Sequence, residues 1–249
     1  TAATTLSRSF DIALQDNVAL YHAIRPELTY MLRQETGGGG APTLDREDLA
    51  PERNWLQYSI NNFFLLRRPG GDDPLRTNFS WVKISQVYDF DAGKRPFSDI
   101  AFHFTTRGFK DLFFNYGTSL SVYGEDLTTH NLTARYNNSR GDRFALHYHF
   151  KRHPEIEPPY FSVDSSGEAV QEIRGNIETR LTRLFSVKVD MAYSLTTDES
   201  IDSTIGLVYH NPCWTIEFAA SRDTADDSFY LIFSLAGAGS PMDLTASGY

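Results

Sequence analysis

Three histidines lie close together in the segment "HYHFKRH", at His147, His149 and His153. Histidine is a frequent metal ligand, and residues two apart share one face of a β-strand. Histidines are also ordinary polar residues of a hydrated surface, and we favour that interpretation, so we predict no metal site. The chain contains no G-x-S-x-G, H-E-x-x-H or glycine-rich phosphate-binding motif. We therefore predict no catalytic residue and no cofactor, although a hydrolase assembled from Ser, His and Asp stays open as an alternative.

The only cysteine of the chain, Cys213, lies in "YHNPCWTIEF" between two segments in which every second residue is apolar. A lone cysteine is usually a small buried apolar residue. The alternation, however, places Cys213 on the polar side of its strand beside a short turn. An odd cysteine in an oxidising compartment indicates a partner elsewhere. Cys213 is therefore a candidate for a disulfide bond.

The composition excludes some classes of protein. The chain has 249 residues and a net charge of −9, so a nucleic-acid partner is not expected, because phosphate contacts need clustered Lys and Arg. Apolar runs such as "FFLL" are far shorter than the roughly 18 residues of a membrane-spanning helix. The opening "TAATTLSRSF" has no apolar core of a signal peptide. Aromatic residues, at 14%, are abundant.

The elements that position these residues show a period of two. Between Phe185 and Thr196 the apolar residues occupy one set of alternate positions and the polar residues the other, as in a strand. About a dozen such segments occur, many of 9 to 13 residues, which is longer than the average strand of about 5–6 residues. Charged residues stand on the polar sides of these segments, and we predict that they face a water-filled lumen: Arg174, Glu178, Lys188, Asp190 and Glu217.

Alternating strands also build soluble β-sandwiches, in which the apolar face is a dry core. Strands of about 9–11 tilted residues with aromatic-rich apolar faces are instead typical of transmembrane β-barrels. Long polar segments at 35–54, 67–78 and 152–168 are predicted to be loops at one rim, and tight turns such as "HNP" to lie at the other. We predict an all-β, transmembrane, antiparallel barrel domain over 1–249, and the sandwich stays open as the alternative.

The last third of the chain, 181–239, resembles the C-terminal end of the lipopolysaccharide-assembly outer-membrane protein family, LptD. The similar pieces are "GLVYHNPCWTIEF", in which Cys-Trp opens a strand after a short turn, and the closing "FYLIFSLAGAG". Near the start, "LYHAIRPELTYML" (20–32) is similar to a family strand in the positions of His22, Ile24, Pro26 and Tyr30. "NWLQYSINNFFLLR" (54–67) looks like the strand after the next loop. The family often has two adjacent cysteines where this chain has Pro212 and Cys213.

The resemblance implies a large outer-membrane barrel that encloses a plug lipoprotein (LptE-like) and follows a periplasmic domain, through which a periplasmic bridge protein is contacted. Lipopolysaccharide would pass sideways into the outer leaflet of the bacterial outer membrane between the first and last strands. With 249 residues and about 12 strands, this chain is expected to form about half of such a barrel. It would be the C-terminal portion, without the periplasmic domain and the early strands. Cys213 would pair with a cysteine of that domain.

The same resemblance implies that the final strand is one edge of the lateral opening, because nothing downstream is expected to pair with it. The residues of this expected edge are Phe229, Tyr230, Leu231, Ile232 and Phe233. The alternatives are a generic porin-like or ligand-binding barrel, and an outer-membrane hydrolase.

Overall fold

A computed structural model describes residues 1–12, 18–33, 53–67, 79–109, 111–124, 126–152, 169–224, 226–235 and 242–244. These residues form β-strands and turns and contain no helix, which confirms the all-β prediction. The strands are β1 (Ala2–Ala3), β2 (Leu6–Ile12), β3 (Val18–Arg33), β4 (Arg53–Arg67), β5 (Phe79–Asp89), β6 (Ile100–Phe109), β7 (Leu112–Leu120), β8 (Leu127–Asn137), β9 (Arg143–Lys151), β10 (Val170–Arg180), β11 (Phe185–Ser194), β12 (Glu199–Asn211), β13 (Trp214–Asp223), β14 (Asp227–Leu235) and β15 (Met242–Leu244).

The strands form one sheet in which each strand from β3 onward is hydrogen-bonded to the next in sequence. β1 and β2 both pair with β3, with Ala2 opposite Leu28 and Leu6 opposite Ile24. The chain that pairs with this side of β3 is therefore divided into β1 and β2, and the break lies beside Pro26. Proline has no N–H to donate to the ladder. This interruption and the short β15 explain why the structure has 15 strands where the sequence predicted about 12.

The sheet is not closed in the described residues. Its strand order begins at β1 and ends at β15, and no ladder joins these two strands. The antiparallel sheet is thus confirmed, whereas the barrel is not shown. The strands are long, with 16 residues in β3, 15 in β4 and 13 in β12, against an average of about 5–6.

Contacts divide the chain into two compact units, which are described separately. The described residues of the first unit fall within Thr1–Phe104 and Gly117–Thr128. Those of the second unit fall within Thr105–Tyr116, Thr129–Pro154 and Gly167–Tyr249. The prediction of a single domain over 1–249 stays a prediction.

Both units expose their apolar faces. In the second unit Ile205 is 58% and Met191 56% exposed, whereas Ser186 and Ala192 on the opposite face are 1% and 3% exposed. In the first unit Leu28, Ile60 and Ile84 are exposed and border an apolar depression of about 700 Å³ on that face. Exposed apolar patches of this kind mark surfaces that contact another protein or a membrane.

The prediction that the long loops lie at one rim is wrong. The segments predicted as loops lie almost wholly outside the described residues, but the strands that they join fix their ends. Residues 34–52 connect β3 to β4, and 68–78 connect β4 to β5. Because each connection in an antiparallel meander reverses the chain, these two long segments leave opposite ends of β4.

Candidate functional site: the polar face of strands β8 to β14

The five residues predicted to face a lumen lie on one face of the second unit. The register places Glu178 opposite Lys188, and Asp190 two residues further along the same face of β11. Glu217 lies on that face because it is opposite Val208, which is opposite Ser186. Arg174 is opposite Ala192 on the same face. The structure thus brings the five together, and their assignment to a lumen stays a prediction.

Lys188 forms an ion pair with Glu217 over the intervening strand β12. The Lys188 Nζ and Glu217 Oε2 atoms are 2.5 Å apart, and Gly206 lies opposite Lys188 on β12. A Cβ atom at Gly206 would lie 3.1 Å from Glu217 Oε1. The missing side chain at Gly206 is therefore what opens the path between the two charges.

A second crossing of the same kind involves Arg174 and Asp202. Their charged atoms are 3.9 Å apart, and Ala192 lies between them on β11, opposite both residues. Ala192 is almost wholly buried. Small residues on β11 and β12 thus let long charged side chains on the flanking strands meet.

Further polar contacts extend this face toward β9. Arg143 Nη2 is 2.5 Å from Glu178 Oε2, and Asn176 donates a hydrogen bond of 2.5 Å to Asp190. Positive and negative charges thus alternate in a row that consists of Arg143, Glu178, Lys188 and Glu217. Arg143 was not singled out from the sequence, although its position two residues before Ala145 on β9 places it on the polar face.

The charges of this row remain partly hydrated, since the side chains of Arg143 and Lys188 are 60% and 40% exposed. Ion pairs of this kind contribute only about 0–1 kcal/mol each to stability. The effect of the row is to make the face polar without a large net charge. Such a face can solvate a hydrophilic group by hydrogen bonding.

The histidines on this face bind neighbouring side chains. His147 Nδ1 lies 3.1 Å from Thr133 Oγ1, and His149 Nδ1 lies 2.5 Å from Asn131 Oδ1. His153 lies outside the described residues. In the described part of the chain, no group of three His, Cys, Asp or Glu side chains could hold a metal ion.

A serine and a histidine do meet on this face, as a hydrolase would require. Ser186 Oγ is 2.7 Å from His210 Nε2. Ser186 is only 1% exposed, so a substrate has no access to its hydroxyl. Among the described residues no carboxylate contacts His210. The contact therefore joins β11 to β12 rather than forming an accessible catalytic pair.

Cys213 lies in the two-residue turn between β12 and β13, not within a strand as the sequence predicted. Its backbone N–H donates to Asn211 Oδ1 at 3.1 Å, which ends β12 as the chain enters the turn. Cys213 is exposed and unbridged, and the chain has no second cysteine. The bridge to a periplasmic domain stays a prediction.

The prediction that nothing pairs with the final long strand is wrong. In β14, Leu231, Ile232 and Phe233 are opposite Leu244, Asp243 and Met242 of β15. An exposed edge has unpaired N–H and C=O groups, and even a three-residue strand satisfies some of them. Phe229 and Tyr230 have no partner in β15 within the described register.

Aromatic side chains line the apolar face near the Pro212–Cys213 turn. Ring centroids are 5.3 Å apart for Phe185 and Tyr209, 5.3 Å for Tyr209 and Trp214, and 5.9 Å for Trp214 and Phe233. The row crosses β11 to β14. At the other end of β11, the Tyr193 hydroxyl donates a hydrogen bond of 2.6 Å to Asp198 in the following turn.

Comparison of the chain with models of known protein families and with curated proteins finds no match. No helix in the described residues is long and apolar enough to cross a membrane.

Proposed function

We propose that this chain is part of an LptD-like β-barrel that inserts lipopolysaccharide into the outer leaflet of the bacterial outer membrane. The observation that carries the membrane location is the exposed apolar face of the long strands in the second unit, opposite a charged face. In a bilayer, lipid chains would surround the apolar face. The backbone N–H and C=O groups of the strands would remain paired within the ladders of the sheet.

The height of the apolar band supports this location. Tyr193 follows Phe185 by eight residues on β11, which is about 27 Å at a rise of roughly 3.4 Å per residue. With a strand tilt of about 40°, the two aromatic residues are about 21 Å apart along the membrane normal, close to the roughly 25 Å apolar band of such barrels. Aromatic residues at both ends then lie at the two membrane interfaces.

The lipopolysaccharide substrate is supported by the resemblance of "GLVYHNPCWTIEF" and "FYLIFSLAGAG" to the LptD family, together with the polar face. The sugar part of the lipid would pass along the row of charges, while its acyl chains leave through a weakly paired seam into the bilayer. The proposed partners are the lipid itself, surrounding membrane lipids, a plug lipoprotein and a periplasmic bridge protein. The chain has no nucleotide-binding motif, so we infer that energy is supplied by another protein.

The seam would form at β14, whose Phe229 and Tyr230 have no partner in β15. In the complete barrel the first strand would take the place of β15 along β14. Because β15 pairs with β14 at only three residues, its displacement breaks few hydrogen bonds.

Cysteines introduced at Tyr230 or Ile232 and on the first barrel strand of the full-length protein test the opening. Locking this seam should stop lipopolysaccharide from reaching the cell surface, measured by antibody binding to intact cells. A cysteine pair at Ser186 and Val208, which are already opposite each other, is the matched control and should leave export intact. Export that continues through a locked seam contradicts the proposal and favours the generic porin.

The Cys213 bridge is tested separately by the gel mobility of full-length protein with and without reductant. A mobility shift that is lost in Cys213→Ser supports the bridge, and free alkylation of Cys213 in the oxidised protein contradicts it. For the hydrolase alternative, the test is lipase activity that a serine-directed reagent abolishes.

A further inference from the structure

Two arginines in the second unit lie over the same aromatic ring. The guanidinium carbon of Arg107 on β6 is 5.3 Å from the centroid of the Phe113 ring, and that of Arg135 on β8 is 5.8 Å from it. Phe113 lies on β7, the strand between them. The two guanidinium carbons are thus at most about 11 Å apart, the sum of 5.3 and 5.8 Å.

Neither arginine has an acidic partner in the part of the chain that the structure describes. Arg143, Arg174 and Arg222, in contrast, each form an ion pair. Arg107 and Arg135 are both exposed, so their N–H donors can reach a ligand from solvent. The ring stabilises each cation modestly, but it neutralises neither charge.

The surrounding strands raise the positive potential further. Strands β6 to β10 carry six Arg and Lys and two Glu, whereas β11 to β14 carry two Arg and Lys and six Asp and Glu. An anion near the described strands is therefore attracted to the side on which Arg107 and Arg135 lie. On β8, Arg135 follows Thr133 by two residues and therefore lies on the same face. Thr133 contacts His147 on the polar face.

We propose that Arg107 and Arg135 form an anion site that binds a phosphate group between their guanidinium groups. The planar guanidinium donates paired hydrogen bonds that match phosphate oxygens, and two such groups satisfy more than one oxygen. Phe113 positions the two guanidiniums. The proposal deepens the proposed function, on which its biological ligand rests, because a phosphorylated glycolipid would bring this group to the polar face. Phosphate binding itself is measured without any export.

The test is binding of inorganic phosphate to the purified chain in neutral detergent, by calorimetry, with the double variant Arg107→Gln/Arg135→Gln. Removing both guanidinium groups should weaken phosphate binding by about tenfold or more for each group removed, since charge-assisted hydrogen bonds are individually strong. The matched control is Arg222→Gln, which removes an arginine that is already paired with Asp227. Unchanged binding in the double variant, or an equal loss in the control, overturns the proposal.

A second measurement needs no variant. Phosphate should slow the modification of Arg107 and Arg135 by phenylglyoxal, mapped by mass spectrometry, and should leave that of Arg222 unchanged. Equal protection at all three positions overturns the site. Repeating the experiment with a phosphorylated glucosamine lipid in mixed micelles distinguishes the sources: stronger protection at the same two arginines assigns the site to a lipid-borne phosphate, and protection by inorganic phosphate alone assigns it to the free ion. Export that fails while this binding persists counts against the proposed function and not against the site.

Discussion

The two faces of strands β11 to β14 differ in both chemistry and exposure. One face carries Phe185, Ile205 and Phe229, which are exposed, and the other carries the ion pair of Lys188 and Glu217 above buried small residues. In a water-soluble sheet the apolar face would be the covered one. The exposure of each face is therefore more informative than the alternation of apolar and polar residues, because that alternation fits a sandwich and a membrane barrel equally.

The largest expected effect comes from placing a charge on the apolar face at mid-strand. Ile205→Arg should destabilise the folded protein in a bilayer by about 2–4 kcal/mol, because in the proposed membrane barrel the cation would lie near the membrane midplane. Thr204→Arg, one residue earlier and at the same depth, faces the polar side and should cost much less. Urea unfolding in liposomes measures both. Equal destabilisation would indicate that the face of Thr204 is as dry as that of Ile205.

A smaller effect is expected from the aromatic row. Trp214→Leu removes the ring contacts with Tyr209 and Phe233 and should destabilise the protein by about 1–2 kcal/mol, since aromatic pairs contribute roughly 0.5–1.5 kcal/mol each. Ile216→Leu, on the same face of β13, preserves the apolar volume and is the control. The same unfolding experiment measures both variants. If Ile216→Leu destabilises the protein as much as Trp214→Leu, the aromatic contacts make no specific contribution.

On the polar face, Gly206→Val should separate Lys188 from Glu217, because a side chain at that position approaches the Glu217 carboxylate. We expect a loss of about 1 kcal/mol or less, as for a partly exposed ion pair. A double-mutant cycle with Lys188→Met and Glu217→Gln measures the coupling. In the Gly206→Val background the coupling should vanish, and a coupling of the same size in both backgrounds would show that the pair does not need Gly206.

The smallest effect concerns Asp142, in the turn between β8 and β9. Hydrogen bonds from Asn138, Thr179 and the backbone of Arg180, with the charge of Arg140, lower the pKa of Asp142 to about 2. A lowered pKa stabilises the folded state above the ordinary value of 3.8, and this contribution is lost as pH falls from 3.8 toward 2.

The melting temperature of Asp142→Asn should therefore lie below that of the unmodified chain at pH 6, and the difference should shrink between pH 4 and pH 2. Other carboxylates titrate in both proteins, so the difference isolates Asp142. A difference that stays constant over this range would contradict the depressed pKa.

The face pattern was predictable from sequence because a strand's period of two depends only on its own residues. The alternation between Phe185 and Thr196 therefore correctly grouped Lys188 with Asp190. The contact of Lys188 with Glu217 was not predictable, because it depends on the register of three strands and on the missing side chain at Gly206. Similarly, the pairing of β15 with β14 depends on how the chain returns after Leu235, which no local pattern encodes.

The assignment of the faces can be measured directly by spin labels at each position from Ser203 to Val208, in a Cys213→Ser chain reconstituted in liposomes. If the apolar face contacts lipid, oxygen accessibility should peak at Ser203, Ile205 and Leu207, and accessibility to a water-soluble nickel complex should be highest at Thr204. The two profiles should alternate in opposite phase. Profiles without alternation, or with Ile205 accessible to nickel and not to oxygen, would contradict a membrane location.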